Sequence, residues 1–260
     1  MQKFFVVSDV HSFYTYLIDA LNAAGFDKEN EDHWFISCGD LFDRGDESKE
    51  VLDFIQHLPR KILIKGNHEY LLEDMCRRKF AYDADIHNGT VKTVRDISGC
   101  VYSKEFRIAP ILTYLEYGEF SKDCIEAKKL TKEYFKSLVP YFETEKYIFV
   151  HSELPVRHEN PYTLAENWRN ADADLWEQAT WGNPFVFFRE VGAVDGKTIV
   201  FGHWHTSWAR CEFEHGTEFG DNADFSIYKG DGYIGIDACT AYSKRVNVLV
   251  IEDDFITPEE

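Results

Sequence analysis

Five short polar clusters carry residue types that hold hard or borderline metal ions. They are Asp9-Val10-His11, Gly39-Asp40-Leu41-Phe42-Asp43-Arg44-Gly45, Gly66-Asn67-His68-Glu69, Val150-His151-Ser152-Glu153 and Gly202-His203-Trp204-His205. Asp9 and His11 alternate, so in extended backbone they point to one side and can offer an oxygen and a nitrogen to one ion. Asp40 has two oxygens and could bridge two cations, while Asn67 offers a neutral amide oxygen. The glycines allow sharp turns or close approach of the backbone to a ligand. Arg44 presents a planar fork that suits a phosphate. None of the clusters contains a thiolate, and mixed carboxylate, imidazole and amide ligation suits Mn, Fe or Zn better than a soft-metal or iron-sulfur centre. One Asp-x-His pair or one histidine would carry little weight, and His203 with His205 could be a hydrogen-bonded pair behind the ligands; five coincident clusters carry more.

Each cluster follows a short apolar run: residues 3–7, 33–37, 61–64, 147–150 and 198–201. Their length and their β-branched and aromatic content predict buried strands. Residues 14–24 and 48–58 have helical spacing and stop at Gly25 and before Pro59, so the chain opens as strand, helix, strand, helix, strand. That alternation predicts an α/β sheet with helices on its faces and function at the loops after the strand C-termini. From about residue 70 to 145 the pattern turns mostly helical, best at residues 71–79, 90–97 and 126–138, and reads as an insertion or cap. Residues 155–194 are rich in Trp, Asn and Pro and predict a long loop region with short helices. Strands return at residues 233–236 and 246–251, and the polar tail after Asp253 is expected to fray.

A chain of 260 residues can bury a core large enough to support a polar site. Its formal net charge of -18 argues against a nucleic-acid partner, which would need Lys and Arg to neutralise phosphates. The apolar run at the N-terminus is too short for a signal peptide or a membrane span, so a cytoplasmic location is expected. The six cysteines lack the spacing of a zinc ribbon or a disulfide framework. They are expected to be reduced, with Cys38 and Cys239 in the core.

In order and content, Asp9-x-His11, Gly39-Asp40-x-x-Asp43-Arg44-Gly45, Gly66-Asn67-His68-Glu69, His151 and Gly202-His203-x-His205 resemble the motifs of the calcineurin-like metallophosphoesterases. The Asp-Arg-Gly ending is similar to the branch that holds the bacterial and phage type Ser/Thr protein phosphatases and the symmetrical diadenosine tetraphosphate hydrolases. The resemblance covers about residues 1–70, 147–155 and 198–206. It implies one α/β (α+β) domain over residues 1–260: a two-sheet β-sandwich flanked by helices, with residues 70–145 as a helical cap insertion. It also implies two divalent or transition-metal ions, Mn first, with Fe, Zn, Ni and Co as alternatives. Asp9, His11, Asp40 and His205 would hold one ion, and Asp40, Asn67, His151 and His203 the other. His68 would be the proton donor to the leaving group, Asp43 would orient its ring, and Arg44 would hold the phosphoryl oxygens. The implied reaction is attack of a dimetal-bound hydroxide on a phosphorylated substrate: a phosphoprotein, a nucleotide or a small phosphoester.

Several positions depart from that branch: Ser12 stands where it has Gly, and Ser152-Glu153 where it has Gly-Gly. His205 supplies an imidazole that many protein phosphatases lack there. Arg157, Arg169 and Arg189 are candidates for a second phosphate-binding arginine, with Asn183 as an alternative. His87-Asn88-Gly89-Thr90 resembles a substrate-side segment, although a turn leading into a helix explains it equally well. Core packing accounts for most of the group Trp168, Trp176, Trp181, Trp204 and Trp208. His33, His57, His158 and His215 lack such context, and Asp237 reads as structural. The leading function is phosphomonoester hydrolysis, with a phosphoprotein as the candidate substrate; the alternative is dinucleoside polyphosphate hydrolysis. A non-catalytic metal-binding scaffold is a third reading, opposed by the intact His68 and Asp40.

Overall fold

The computed structural model describes residues 2–99, 119–157 and 160–256. Its strands are β1 (Gln2–Val7), β2 (His33–Ser37), β3 (Lys61–Ile64), β4 (Leu138–Val139), β5 (Phe142–Glu143), β6 (Tyr147–Phe149), β7 (Val156–Arg157), β8 (Asn160–Leu164), β9 (Thr198–Phe201), β10 (Tyr228–Gly230), β11 (Tyr233–Gly235) and β12 (Leu249–Asp253). One sheet runs β12-β1-β2-β3-β4, with β1 to β4 parallel and β12 antiparallel beside β1. The other runs β10-β11-β9-β6-β5, parallel at its centre and antiparallel at both edges. β7 and β8 form a small separate pair.

The apolar runs are continuous because each strand is covered on both faces. Phe4 and Val6 of β1 meet Ile36, Ile64, Phe149, Val200 and Ile234 between the sheets. Their neighbours Phe5 and Val7 point the other way, under α1 (Tyr14–Ala23), α2 (Ser48–His57) and α3 (Asn67–Arg78). Two further helices, α4 (Asp83–Asn88) and α5 (Thr90–Ser98), follow, then helices Glu119–Leu130 and Lys132–Ser137. Val91, Val94, Phe120 and Tyr134 from this stretch join the same core as Phe5 and Leu17. On the far side, Ile148, Ile199 and Phe201 of the second sheet pack under Trp176, Phe185 and Phe188 from helices Ala173–Ala179 and Pro184–Val191. The result is helices, sheet, sheet, helices. No helix among the described residues is long and apolar enough to cross a membrane.

Several expectations are corrected. α3 starts at Asn67 rather than residue 71, because Gly66 is an extended N-cap and Glu69 reaches back to accept its N–H at 2.8 Å. The single helix expected over residues 126–138 is two, broken at Thr131, whose hydroxyl bonds the Ala127 carbonyl at 2.7 Å. The expected long loop region has its short helices, Ala173–Ala179 and Pro184–Val191 beside a 3-10 turn Trp168–Asn170, but it also contains the strands β7 and β8. The tail is held through residue 255: Asp253 accepts the Lys146 N–H at 2.9 Å, and the Phe255 ring lies 4.8 Å from Trp34 and 5.4 Å from Phe4. Cys38 is a core residue, whereas Cys239 is half-buried in a turn with φ 51°. Cys100, His158 and residues 101–118 of the expected cap lie outside the described residues.

Candidate metal and phosphate site

The C-terminal ends of β1, β2, β3, β6 and β9 converge, and the loops leaving them are bent by left-handed backbone. Asp9, His11, Asp40, Asp43, Arg44 and His203 all have φ between 51° and 75°. Non-glycine residues rarely adopt this region, at a cost of about 1–3 kcal/mol each, so the surrounding packing must hold them. Gly39 has φ 95°, and a Cβ there would lie 2.6 Å from His151 Nδ1, so only glycine lets these two loops meet.

Hydrogen bonds select which nitrogen of each ring faces inward. His11 Nδ1 donates to the Phe42 carbonyl at 2.9 Å, leaving the Nε2 lone pair 3.8 Å from Asp9 Oδ1 and 3.9 Å from Asp40 Oδ2. His151 Nδ1 donates to the Cys38 carbonyl at 2.7 Å, leaving Nε2 2.8 Å from Asn67 Oδ1, 3.2 Å from His203 Nδ1 and 3.5 Å from Asp40 Oδ1. The two oxygens of Asp40 therefore face two different imidazoles. Lone pairs from rings, carboxylates and an amide oxygen point at one another in two groups, an arrangement that repels itself unless cations lie between them. Burial lowers the His11 pKa well below its ordinary value, reinforced by the Arg44 charge, and lowers that of His203 to about 2. Both rings stay neutral, as ligation requires. Burial also raises Asp40 to about 6 against the pull of His151 and His68, a shift that nearby cations would reverse. The donor set fits a pair of divalent ions.

Asp9 Oδ2 accepts the Ser8 hydroxyl at 2.6 Å and the His203 N–H at 2.8 Å, tying the two sheets together at the site. His68 differs from the other rings, because its Nδ1 donates to a carboxylate, Asp43 Oδ2, at 2.7 Å. Its Nε2 lies 4.0 Å from Asp40 Oδ2 and 3.3 Å from Arg44 Nη2. Burial alone would lower the His68 pKa, but the Asp40 charge and the Asp43 hydrogen bond outweigh it and lift it to about 8. His68 shares with His11 and Asp40 a group that could hold an ion, but the guanidinium beside its Nε2 disfavours a cation there. Arg44 itself is exposed, so that, beside its contact with His68, its fork can meet an anion.

Not every expected residue is brought together. His205 caps helix Thr206–Glu214: its Nδ1 accepts the Trp208 N–H at 3.2 Å, and its Nε2 faces Glu218 Oε1 at 3.4 Å, outside both ligand groups. Arg169 pairs with Glu143 at 2.6 Å and Asp195 at 2.8 Å, Arg157 lies 3.7 Å from Glu166, and Arg189 stacks on Phe213 at 4.3 Å. Asn183 spends its side-chain oxygen capping Phe185 and Val186. Trp168 and Trp176 are core, whereas Trp181 is 50% exposed. Asp237 shapes a turn by accepting the Cys239 N–H at 2.6 Å. Sequence reasoning missed Ser8 and the role of Glu69, whose carboxylate accepts the backbone N–H groups of Asp40, Leu41 and Gly66 and the Tyr134 hydroxyl. A Glu at the third position of a helix was the available signal for Glu69; Ser8 had none.

Residues 2–207 match the family described as calcineurin-like phosphoesterase. Over 66 residues the chain is 38% identical to the symmetrical bis(5'-nucleosyl)-tetraphosphatase of Proteus mirabilis, covering 25% of this chain and 23% of that protein. Over 130 residues it is 27% identical to the asymmetrical bis(5'-nucleosyl)-tetraphosphatase PrpE of Halalkalibacterium halodurans, covering 45% and 49%. The chain thus spans about a quarter to a half of the length of these curated relatives. A solved structure described as a candidate diadenosine tetraphosphatase superimposes with a TM-score of 0.52 at 14% identity, over 98% of this chain and 94% of that one. A mutant of a cold-active protein tyrosine phosphatase does so at 0.50 and 17%, over 97% and 76%. At these identities the likeness concerns the fold.

Proposed function

The chain belongs to the calcineurin-like phosphoesterase family, and we propose that it is a metal-dependent hydrolase of phosphomonoesters, with phosphoproteins among its substrates. The observation that carries this reading is Asp40, whose two oxygens face separate imidazole groups while His68, Asp43 and Arg44 stand alongside. In this reading Asp9, His11 and Asp40 hold one cation, with His205 joining them if it leaves Glu218, and Asp40, Asn67, His151 and His203 hold the other. Two divalent ions bound there, manganese by preference, would supply Lewis acidity: they lower the pKa of water and neutralise phosphoryl charge. His68 Nε2 gives its proton to the leaving oxygen, and Asp43 keeps the other ring nitrogen protonated. Arg44 takes the phosphoryl oxygens in its fork. The chain acts as one cytoplasmic domain, with residues 70–145 as the insertion beside the site.

A second reading, hydrolysis of dinucleoside polyphosphates, is favoured by the names of the two curated relatives. A substrate panel of an aryl phosphate, phosphopeptides and diadenosine tetraphosphate, run with Mn, tests both. The first reading expects the highest kcat/KM on phosphomonoesters, and a clear preference for the tetraphosphate selects the second. Failure to cleave any of them, at full metal loading by elemental analysis, rejects the enzyme.

A further inference from the structure

We propose that Thr90 and Thr93 of α5 are positioning residues, whose hydroxyls hold the Asp43 carboxylate in the orientation that keeps His68 Nε2 aimed into the site. Thr90 Oγ1 donates to Asp43 Oδ2 at 2.7 Å, and Thr93 Oγ1 donates to Asp43 Oδ1 at 2.7 Å. His68 Nδ1 meets Oδ2 at 2.7 Å. Both carboxylate oxygens are thus engaged, at charge-assisted distances, in a place where Asp43 and both threonines are fully buried. The Asp43 N–H in turn donates to Thr93 Oγ1 at 3.0 Å, so Thr93 brackets both the side chain and the left-handed backbone of Asp43.

Thr93 has a single hydroxyl proton to give. The Gly89 carbonyl, the usual helical acceptor, is 3.4 Å away, and the closer, charged oxygen of Asp43 takes it. Thr90 and Thr93 are three residues apart and share a helix face. That face reaches Asp43 because residue 89 is glycine: its φ is 88°, and a Cβ there would collide with the Arg44 backbone nitrogen. Of the two readings of residues 87–90, the turn leading into a helix is the one present, at Gly89, and His87 is exposed and bonded to the Asp83 carbonyl. Without the two hydroxyls, Asp43 can rotate, and the His68 ring loses its fixed tautomer.

This inference rests on His68 being the proton donor, and the test separates the two ideas. Thr90→Val, Thr93→Val and the double variant remove the hydroxyls at nearly constant shape; Thr90→Ser and Thr93→Ser restore them, and Thr→Ala replaces any Val variant whose melting transition is lost. In 15N-histidine-labelled protein the His68 ring N–H resonance, assigned by its absence in His68→Asn, is expected to move upfield and exchange faster in the Val variants. Their kcat on a phosphoserine peptide is expected to fall about 10-fold with KM unchanged. On 4-nitrophenyl phosphate, whose leaving group needs no proton, the loss is expected to stay under about 3-fold. The Ser variants are expected to recover both signals. An unmoved ring resonance in the double Val variant overturns the positioning role. A moved resonance with equal losses on both substrates upholds positioning and overturns His68 as the donor.

Discussion

His11, His151 and His68 are all buried histidines next to Asp40, yet they divide by the partner of Nδ1. The first two donate to backbone carbonyls, which turns Nε2 of each ring inward toward Asp40. The third donates to a carboxylate, which favours a protonated ring. In the proposed reading, one residue type thereby serves as ligand in two places and as proton donor in a third. His68→Ala is accordingly expected to retain the metal content of the parent protein while kcat falls by about 100-fold or more. Elemental analysis beside steady-state kinetics checks this, and lost metal with lost activity would make His68 a ligand instead.

The first turn of α3 and the helix Lys132–Ser137 act as one device behind the ligands. Asn67 and His68 face the site, and Glu69, fully buried, gathers the backbone N–H groups of Asp40 and Leu41 at 2.8 and 2.9 Å. A buried carboxylate needs such donors to remain charged. Tyr134 supplies another through its hydroxyl at 2.9 Å, and burial together with the Glu69 charge pushes its own pKa well above the ordinary value. Tyr134→Phe leaves that carboxylate one donor short and is expected to cost about 1–3 kcal/mol. Urea denaturation of the two proteins measures the loss, and equal midpoints with equal slopes would show that Glu69 does not depend on Tyr134.

Across the molecule, β1 to β3 come from one sheet and β6 and β9 from the other, so the site exists only while the two sheets stay packed. Away from the site, a half-buried ion cluster ties β5 to the segments around it. Glu143 accepts from Arg169 Nε at 2.6 Å and from Lys197 Nζ at 2.8 Å. Burial alone would raise the Glu143 pKa, but these hydrogen bonds outweigh it and hold the carboxyl below its usual range. A folded pKa below the unfolded value of about 4.3 means stability that is present above that pH and lost as pH falls through the folded value. Glu143→Gln is therefore expected to melt below the parent protein at pH 7, with the gap closing as acidification protonates the Glu143 carboxylate. A gap that stays constant on acidification would assign the effect to packing.

The strands and the residues gathered at their ends were legible in the sequence for one physical reason. Strands buried on both faces read as unbroken apolar runs, and the residues ending them are adjacent in the chain, so Asp9, His11, Asp40, Asn67, His151 and His203 announce themselves locally. The short strands β6 and β11 were legible as buried apolar runs, whereas β4, β5 and β10 at the sheet edges were not, because two or three residues without such a run show no period. The tertiary structure alone decided which nitrogen of each ring faces inward, since Cys38 and His151 are 113 positions apart. It also made Thr90 and Tyr134 part of the site, across 47 and 65 positions, and turned His205 toward Glu218. A hydroxyl or an imidazole has the same letter whatever it bonds; its partner is chosen only when distant segments pack.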